Sequence, residues 1–352
     1  MSGPAGWLLR RFLALPLLLV LTAVFAVGWL VALVLTVVSS PVIVAVTRRR
    51  PRARALRVAT LAVAYLVVDC LCVLACFALW LGAGFGWRLR SPRSVRAHRS
   101  LLRTFLQTLV SLAGPVFGFR VHVHEPTRHP ADLLRADGDL PILVLARHAG
   151  PGASFALVHV LLSRYRRDVH VVLKDTLRLD PAIDLLLTRT GCTWIPSRQH
   201  GSADLVEQAA AGLRGRTALL LFPEGADWTP ARHLAAVARL RRRGRWRQAW
   251  EALRMPHVLP PRPAGTLAAL RAAPNAPVLI FTHTGQDDLL DAAAAWDALP
   301  LTSPLQMAWW CPTERPAAAD LDAVDDWLHD IWANIDAWIS EQQALDAAQH
   351  PS

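Results

Sequence analysis

Lysine is almost missing from this chain. Of thirty-eight basic side chains in 352 residues, Lys174 is the single lysine and all the others are arginine. Arginine usage on that scale is a habit of GC-rich coding, so arginine clusters say little by themselves and the one lysine stands out. Acidic residues are missing from one part only. Residues 1–110 hold fourteen Arg against one acid, Asp69, whereas residues 111–352 hold twenty-four basic and twenty-six acidic groups. The excess positive charge therefore lies entirely beside apolar segments. That placement suits anionic lipid headgroups and excludes a nucleic-acid binder, which needs its basic residues on a folded reading face. Cysteine is sparse as well. Cys70, Cys72 and Cys76 lie within one apolar stretch, Cys192 and Cys311 stand apart, and there is no C-x-x-C pair with partnering histidines. A disulfide framework and a zinc site are thereby excluded, and a reducing, cytosol-facing domain is expected.

Long apolar runs are abundant, in keeping with a hydrophobic content of 53%. Phe12 to Val46 contains no charge over thirty-five residues. As one helix it would be about 52 Å long, against roughly 30 Å of bilayer hydrocarbon. Gly28 or Ser39-Ser40-Pro41 either breaks it into a hairpin or leaves one span with an interfacial tail. Val58 to Trp87 is a second such stretch, interrupted only by Asp69. Asp69 reads either as a functional intramembrane carboxylate or as a group that caps a kink or faces a helix partner. A cleaved signal peptide is not expected, because the first run far exceeds a signal core. If each stretch crosses once, the arginines at 48–52 and those at 88–103 lie on opposite sides and one cluster breaks the positive-inside rule; hairpins from the cytosolic side keep all of them inside. The number of crossings stays open.

Beyond a basic connector the pattern changes. Gly118 to His124 alternates at period two, so His122 and His124 share a strand face, where two histidines could meet a metal or be surface residues. Strand-like runs recur at Pro141 to Ala146, Val169 to Leu173, Thr193 to Pro196, Ala218 to Phe222 and Val278 to Thr282, with helix-like segments between them. The expected fold is α/β, a mixed central sheet covered by helices and preceded by N-terminal membrane helices. The expected divisions are 1–90 for the membrane helices, 91–110 for the connector and 111–352 for the catalytic domain with a C-terminal amphipathic helix, read from Trp327, Ile331, Ile335, Trp338 and Ile339.

Two turns carry the chemistry. Pro141 to Ala146 reads as a buried strand ended by Gly150-Pro151-Gly152 before a helix over Phe155 to Leu162. His148 sits on that strand-to-helix turn, where an imidazole can meet a substrate hydroxyl. The second is Leu219 to Gly225, a buried run ended by Phe222-Pro223-Glu224-Gly225. With Gly191 to Arg198 and the strand Ala276 to Phe281, these blocks resemble the PlsC-like glycerophospholipid acyltransferases, the lysophosphatidic acid acyltransferase superfamily, over roughly Val110 to Phe281. Their first block is H-x-x-x-x-D, and where that aspartate stands this chain has Ala153. In a hydrolytic triad, losing the corresponding carboxylate costs roughly 10⁴ in turnover, or roughly 5 kcal/mol of barrier. The chain is then a weak catalyst, a silent relative that binds lipid or acyl-CoA, or one that recruits a carboxylate from elsewhere; adjacent Ser154 is a poor substitute.

The resemblance implies a membrane-bound transferase of phospholipid biosynthesis, with its catalytic domain on the cytoplasmic face of the cell membrane. It would move a fatty acyl group from acyl-CoA or acyl carrier protein, as co-substrate, to the hydroxyl of lysophosphatidic acid or a related lysophospholipid. No metal and no other cofactor is implied. His148 is the implied base; Lys174, Arg198, Phe222, Pro223, Glu224 and Gly225 are the implied acceptor contacts, the two cations for the phosphate. Pro260-Pro261-Arg262-Pro263 and the extension Ala226 to Pro230 resemble the lysocardiolipin-type branch of the superfamily. Arg-rich Ala231 to Leu253 has Trp246 and Trp250 one turn apart. It reads either as a helix packed through its tryptophans or as an interfacial helix with tryptophan at headgroup depth. A serine hydrolase is disfavoured because Ser154 lacks the G-x-S-x-G elbow.

Overall fold

The computed structural model describes residues 4–47, 53–126, 140–195, 203–289, 291–316 and 320–349. Its helices are α1 (Pro4–Thr47), α2 (Arg54–Gly82), α3 (Pro92–Phe117), α4 (Pro151–His159), α5 (Pro181–Thr190), α6 (Ala203–Ala211), α7 (Pro230–Arg242), α8 (Trp246–Leu253), α9 (Pro263–Ala272), α10 (Ala292–Ala298) and α11 (Leu321–Gln349). The strands are β1 (Val121–His124), β2 (Ile142–Ala146), β3 (Asp168–Lys174), β4 (Thr193–Ile195), β5 (Thr217–Leu221), β6 (Val278–Thr284) and β7 (Leu305–Trp310). The chain divides into two compact units: Met1–Arg120 with Leu173–Cys192 and Ala293–Thr302, and Val121–Val172 with Thr193–Ala292 and Ser303–Ser352.

In the first unit, three helices are long and apolar enough to cross a membrane: Pro16–Ser39, Arg54–Gly82 and Pro92–Phe117. Of the two outcomes open for the first run, the hairpin is not formed, and the candidate span ends at Ser39 with helix continuing beyond it. α1 continues through Gly28, a lone glycine that costs a helix only about 1 kcal/mol, and through Ser39-Ser40-Pro41. The stretch expected as a connector is also helical. Ser91 Oγ accepts from Ser94 N at 3.3 Å, Pro92 occupies the first turn, and Gly118 closes α3 at φ 77°. Serine cap, early proline and left-handed glycine together delimit a helix, so the boundary expected near residue 110 falls inside α3. Asp69 takes the second of its two readings. It is buried, and its Oδ1 accepts from Ala182 N at 3.1 Å, serving an orphan donor in the first turn of α5.

The second unit is built on a seven-stranded sheet of order β1-β7-β6-β2-β5-β3-β4. β2 lies parallel to both of its neighbours, β5 and β6, while β7 runs antiparallel to β6, so the sheet is mixed as expected. β7 itself was not among the expected strands. β2, β5 and β6 are buried along their whole length, which is why they read as continuous apolar runs rather than alternating ones. One face carries Leu143, Leu145, Leu219, Leu221 and Ile280 against Val324, Leu328, Trp332, Ile335 and Ile339 of α11. On β1 the His122 and His124 rings stack at 4.7 Å, and His124 Nε2 lies 2.9 Å from Gln306 Oε1. Among the described residues, no three His, Cys, Asp or Glu side chains gather where they could hold a metal ion.

The Arg-rich segment Ala231 to Leu253, expected as one helix, is two, α7 and α8, with Gly244 in a left-handed turn at φ 71° between them. α8 packs inward through Ala249 and Ala252 beside Val237, and Trp246 and Trp250 stand 67% and 66% exposed. The helix therefore does not pack through its tryptophans, because the small alanines occupy the inward stripe.

Candidate active site

Three neighbouring parallel strands, β6, β2 and β5, end at the same edge of the sheet. The register that pairs Leu145 with Leu221 and Ala146 with Phe281 brings their following turns together, at the carboxyl edge where open α/β sheets bind ligands. β2 delivers Arg147 and His148, β5 delivers Phe222 to Asp227, and β6 delivers His283 to Asp287.

His148 is clamped through its main chain. Its N–H donates to Glu224 Oε1 at 3.2 Å and its carbonyl accepts from Trp228 N at 2.6 Å. The ring stacks on Phe222 with centroids 4.4 Å apart and stays 23% exposed. With residue 148 held between residues 224 and 228, the intervening Asp227 meets the imidazole. Asp227 Oδ1 lies 2.9 Å from His148 Nδ1, and Ser154 Oγ lies 3.4 Å from the same nitrogen. Ala153 is buried, and its methyl group offers the ring no polar atom. A carboxylate at Nδ1 leaves Nε2 as the ring nitrogen available to take a proton.

Glu224 faces inward rather than toward a ligand. It is 1% exposed and accepts from His148 N, Leu259 N (3.2 Å) and Trp332 Nε1 (3.1 Å). Burial pushes its carboxyl up to about 7, against the opposing pull of Arg147 and of those three N–H donors. The geometry thus makes Glu224 a strut beneath the His148 turn. Gly225, at φ 71°, is exposed, and a Cβ there would meet Arg262 Nη1 at 3.2 Å. Arg262 N also donates to Pro223 O at 2.9 Å, so the Pro-Arg loop lies over the second motif. Lys174 closes β3, is exposed and belongs to the first unit. Arg198 lies outside the described residues.

Beneath the turn sits Arg147, with 0% of its side chain exposed. Its guanidinium donates to His257 O at 3.1 and 2.7 Å and to His283 O at 2.6 Å, and pairs with Asp287 Oδ1 at 2.6 Å. Burial works against the Asp287 carboxylate, but Arg147 and the Thr284 hydroxyl outweigh it and hold its pKa below the usual range. Burial, with Arg147 adding to it, drives His283 down to about 3, so that imidazole is neutral. Asp336 of α11 accepts from His257 N at 2.7 Å. Arg147, Trp332, Asp336 and Asp287 had no role in the sequence reading; Asp227 was visible only as part of the extended second motif.

The raised Glu224 pKa has a sign that can be measured. A carboxyl whose pKa is higher folded than unfolded contributes stability that is complete below about 4.5 and is lost as pH rises through about 7. The loss is on the order of 3 kcal/mol at about 1.4 kcal/mol per unit. His283 acts in the opposite direction, its contribution being lost as pH falls below the ordinary histidine range. The difference between the natural chain and Glu224→Gln isolates the carboxyl. Across pH 4.5 to 7 the glutamine variant is expected to gain on the natural chain in thermal or urea unfolding, and a pH-independent difference would refute the buried-acid account.

No curated protein matches the chain. A turn-borne imidazole with a carboxylate on one ring nitrogen, at the carboxyl edge of a mixed sheet, is the arrangement that activates a hydroxyl. In agreement with it, residues 120–260 match the model of the Acyltransferase family, and the chain therefore carries an acyltransferase domain.

Proposed function

We propose that the chain is a membrane-bound acyltransferase that moves a fatty acyl group from the thioester of acyl-CoA or acyl carrier protein to the hydroxyl of lysophosphatidic acid or a related lysophospholipid. The observation that carries this reading is the His148–Asp227 pair at the edge shared by β2 and β5. The acceptor oxygen attacks the thioester carbonyl while His148 Nε2 takes its proton. The new C–O bond forms, the C–S bond breaks, and the proton passes to the departing thiolate. General-base help of this kind contributes roughly 10²–10⁴ in rate.

For the acceptor phosphate we assign Arg262, an exposed guanidinium held over Gly225, where it feels Arg239 and Arg243. A planar fork binds phosphate through two donors, whereas lysine offers a point charge. Arg262→Lys is expected to raise the acceptor KM by roughly tenfold, about 1.4 kcal/mol, with kcat nearly unchanged. An unaltered KM would remove Arg262 from the site. Three candidate spans and the arginines beside them support a cell-membrane location, and we place the domain on the cytoplasmic side, where its thioester donors are found.

The deciding experiment incubates the full chain in lipid nanodiscs with labelled oleoyl-CoA or oleoyl-acyl carrier protein and lysophosphatidic acid. Formation of diacylated product together with free thiol is the expected result. Lysolipid binding with no product from either donor would favour a silent lipid-binding relative instead.

A further inference from the structure

We infer that Asp227 is the positioning carboxylate of the His148 base, filling from the second motif the post that Ala153 leaves vacant in the first. The inference rests on the proposed acyl transfer and names the residue that makes it workable. Asp227 Oδ1 stands 2.9 Å from His148 Nδ1 as an ion-pair contact that lies off the line of a ring N–H hydrogen bond, while the Ser154 hydroxyl, at 3.4 Å, holds the hydrogen bond to that nitrogen; a small turn of the ring brings the carboxylate into line. The approach is fixed by the main chain. Glu224 receives the His148 N–H, and Trp228 N donates to the His148 carbonyl, so the two turns are joined on either side of residue 227.

The other acids near the site are committed elsewhere. Glu224 is held by three N–H donors and Asp287 by Arg147 and Thr284. Arg232, in the first turn of α7, reaches the second oxygen of Asp227 only at 4.0 Å and donates its hydrogen bond to the Asp227 backbone carbonyl. The Asp227 carboxylate faces Nδ1. Set there, it keeps a proton on Nδ1, presents Nε2 to the acceptor hydroxyl and stabilises the imidazolium formed when that hydroxyl is deprotonated. Sequence spacing misses it because the family's acid is counted forward along α4, whereas this one arrives from the neighbouring strand.

The side chain of Asp227 is 39% exposed, so solvent screens the pair. The expected loss in Asp227→Asn is on the order of ten- to a hundredfold in kcat, less than a buried triad loses, with little change in KM. The test compares four full-length proteins in the same nanodiscs: the natural chain, Asp227→Asn, Ala153→Asp and the double variant. Expected are activity in the natural chain, little gain from Ala153→Asp alone, a fall in Asp227→Asn and recovery of most of that fall in the double variant. A structural role for Asp227 would not be rescued by a new acid at position 153. Unchanged kcat in Asp227→Asn overturns the inference, as does a fall without rescue when Ala153→Asp is itself active. An inert natural chain that becomes active with Ala153→Asp overturns the inference but leaves the acyl-transfer reading standing. Inertness of both proteins sinks the acyl-transfer reading, and the inference with it.

Discussion

Replacing His148 by alanine is expected to lower kcat for acyl transfer by about 10²–10⁴-fold, while the protein stays folded. The separation of the two effects follows from which atoms do which work. The bonds that tie residue 148 into the fold belong to its main chain, the N–H to Glu224 and the carbonyl to Trp228, and an alanine keeps both. The imidazole contributes a stack on Phe222 and the contact with Asp227. Being partly exposed, it should cost only about 1 kcal/mol of stability when removed, the centre of the range for single substitutions. The chemistry loses more, because among the described residues no other nitrogen base at that edge is open to a ligand. Glu224 is buried, His283 is buried and held neutral, and Asp287 is engaged by Arg147. Steady-state kinetics alongside circular dichroism would decide the matter. A folded His148→Ala protein with undiminished kcat would remove the imidazole from the mechanism.

Strands buried on both faces are legible from sequence because no alternation is needed to find them. Pro141 to Ala146, Ala218 to Phe222 and Val278 to Thr282 each lie within two residues of an observed strand, and the two turns that follow β2 and β5 fall on neighbouring strands, as their shared chemistry requires. α3 was harder to see. Its arginines at 93, 96, 99 and 103 break the apolar pattern, so the signals that mark the helix are its ends, Ser91-Pro92 and Gly118. The site was legible as far as local spacing reaches. His148 and the Phe222 to Gly225 turn could be found by their neighbours in the chain, but the partner of the imidazole could not, because it depends on which strand lies beside β2. α11 shows the same limit. Its period announced a docked helix, yet which indole N–H reaches a buried carboxylate is decided by how the helix is rotated on the sheet. Trp332, fully buried and bonded to Glu224, is set by packing alone. Arg147 escaped notice for a compositional reason, since one more arginine in an arginine-rich chain carries no signal.

That arginine is where the largest loss of stability is expected. Arg147→Met keeps most of the side-chain volume and should destabilise the second unit by about 3–5 kcal/mol, a large share of the 5–15 kcal/mol typical of a whole domain. The guanidinium makes three hydrogen bonds to the carbonyls of His257 and His283, pairs with Asp287 and lies 5.7 Å from the centre of the Trp228 ring. Methionine leaves those carbonyls without their donor and strands the Asp287 carboxylate, only 10% exposed, without its counter-charge. Glu224 would lose the cation that opposes its burial, so its pKa would climb from about 7 and the strut under His148 would become neutral. Arg147→Lys keeps the charge but not the fork, and should fall between the natural chain and methionine. Adding Asp287→Asn to Arg147→Met should return at least about 1 kcal/mol, because a stranded buried charge costs more than an amide left in its place. Urea unfolding of the four proteins in one detergent would measure the series. Equal stability of Arg147→Met and the natural chain, or no recovery in the double variant, would mean that the buried cation does not hold these three loops together.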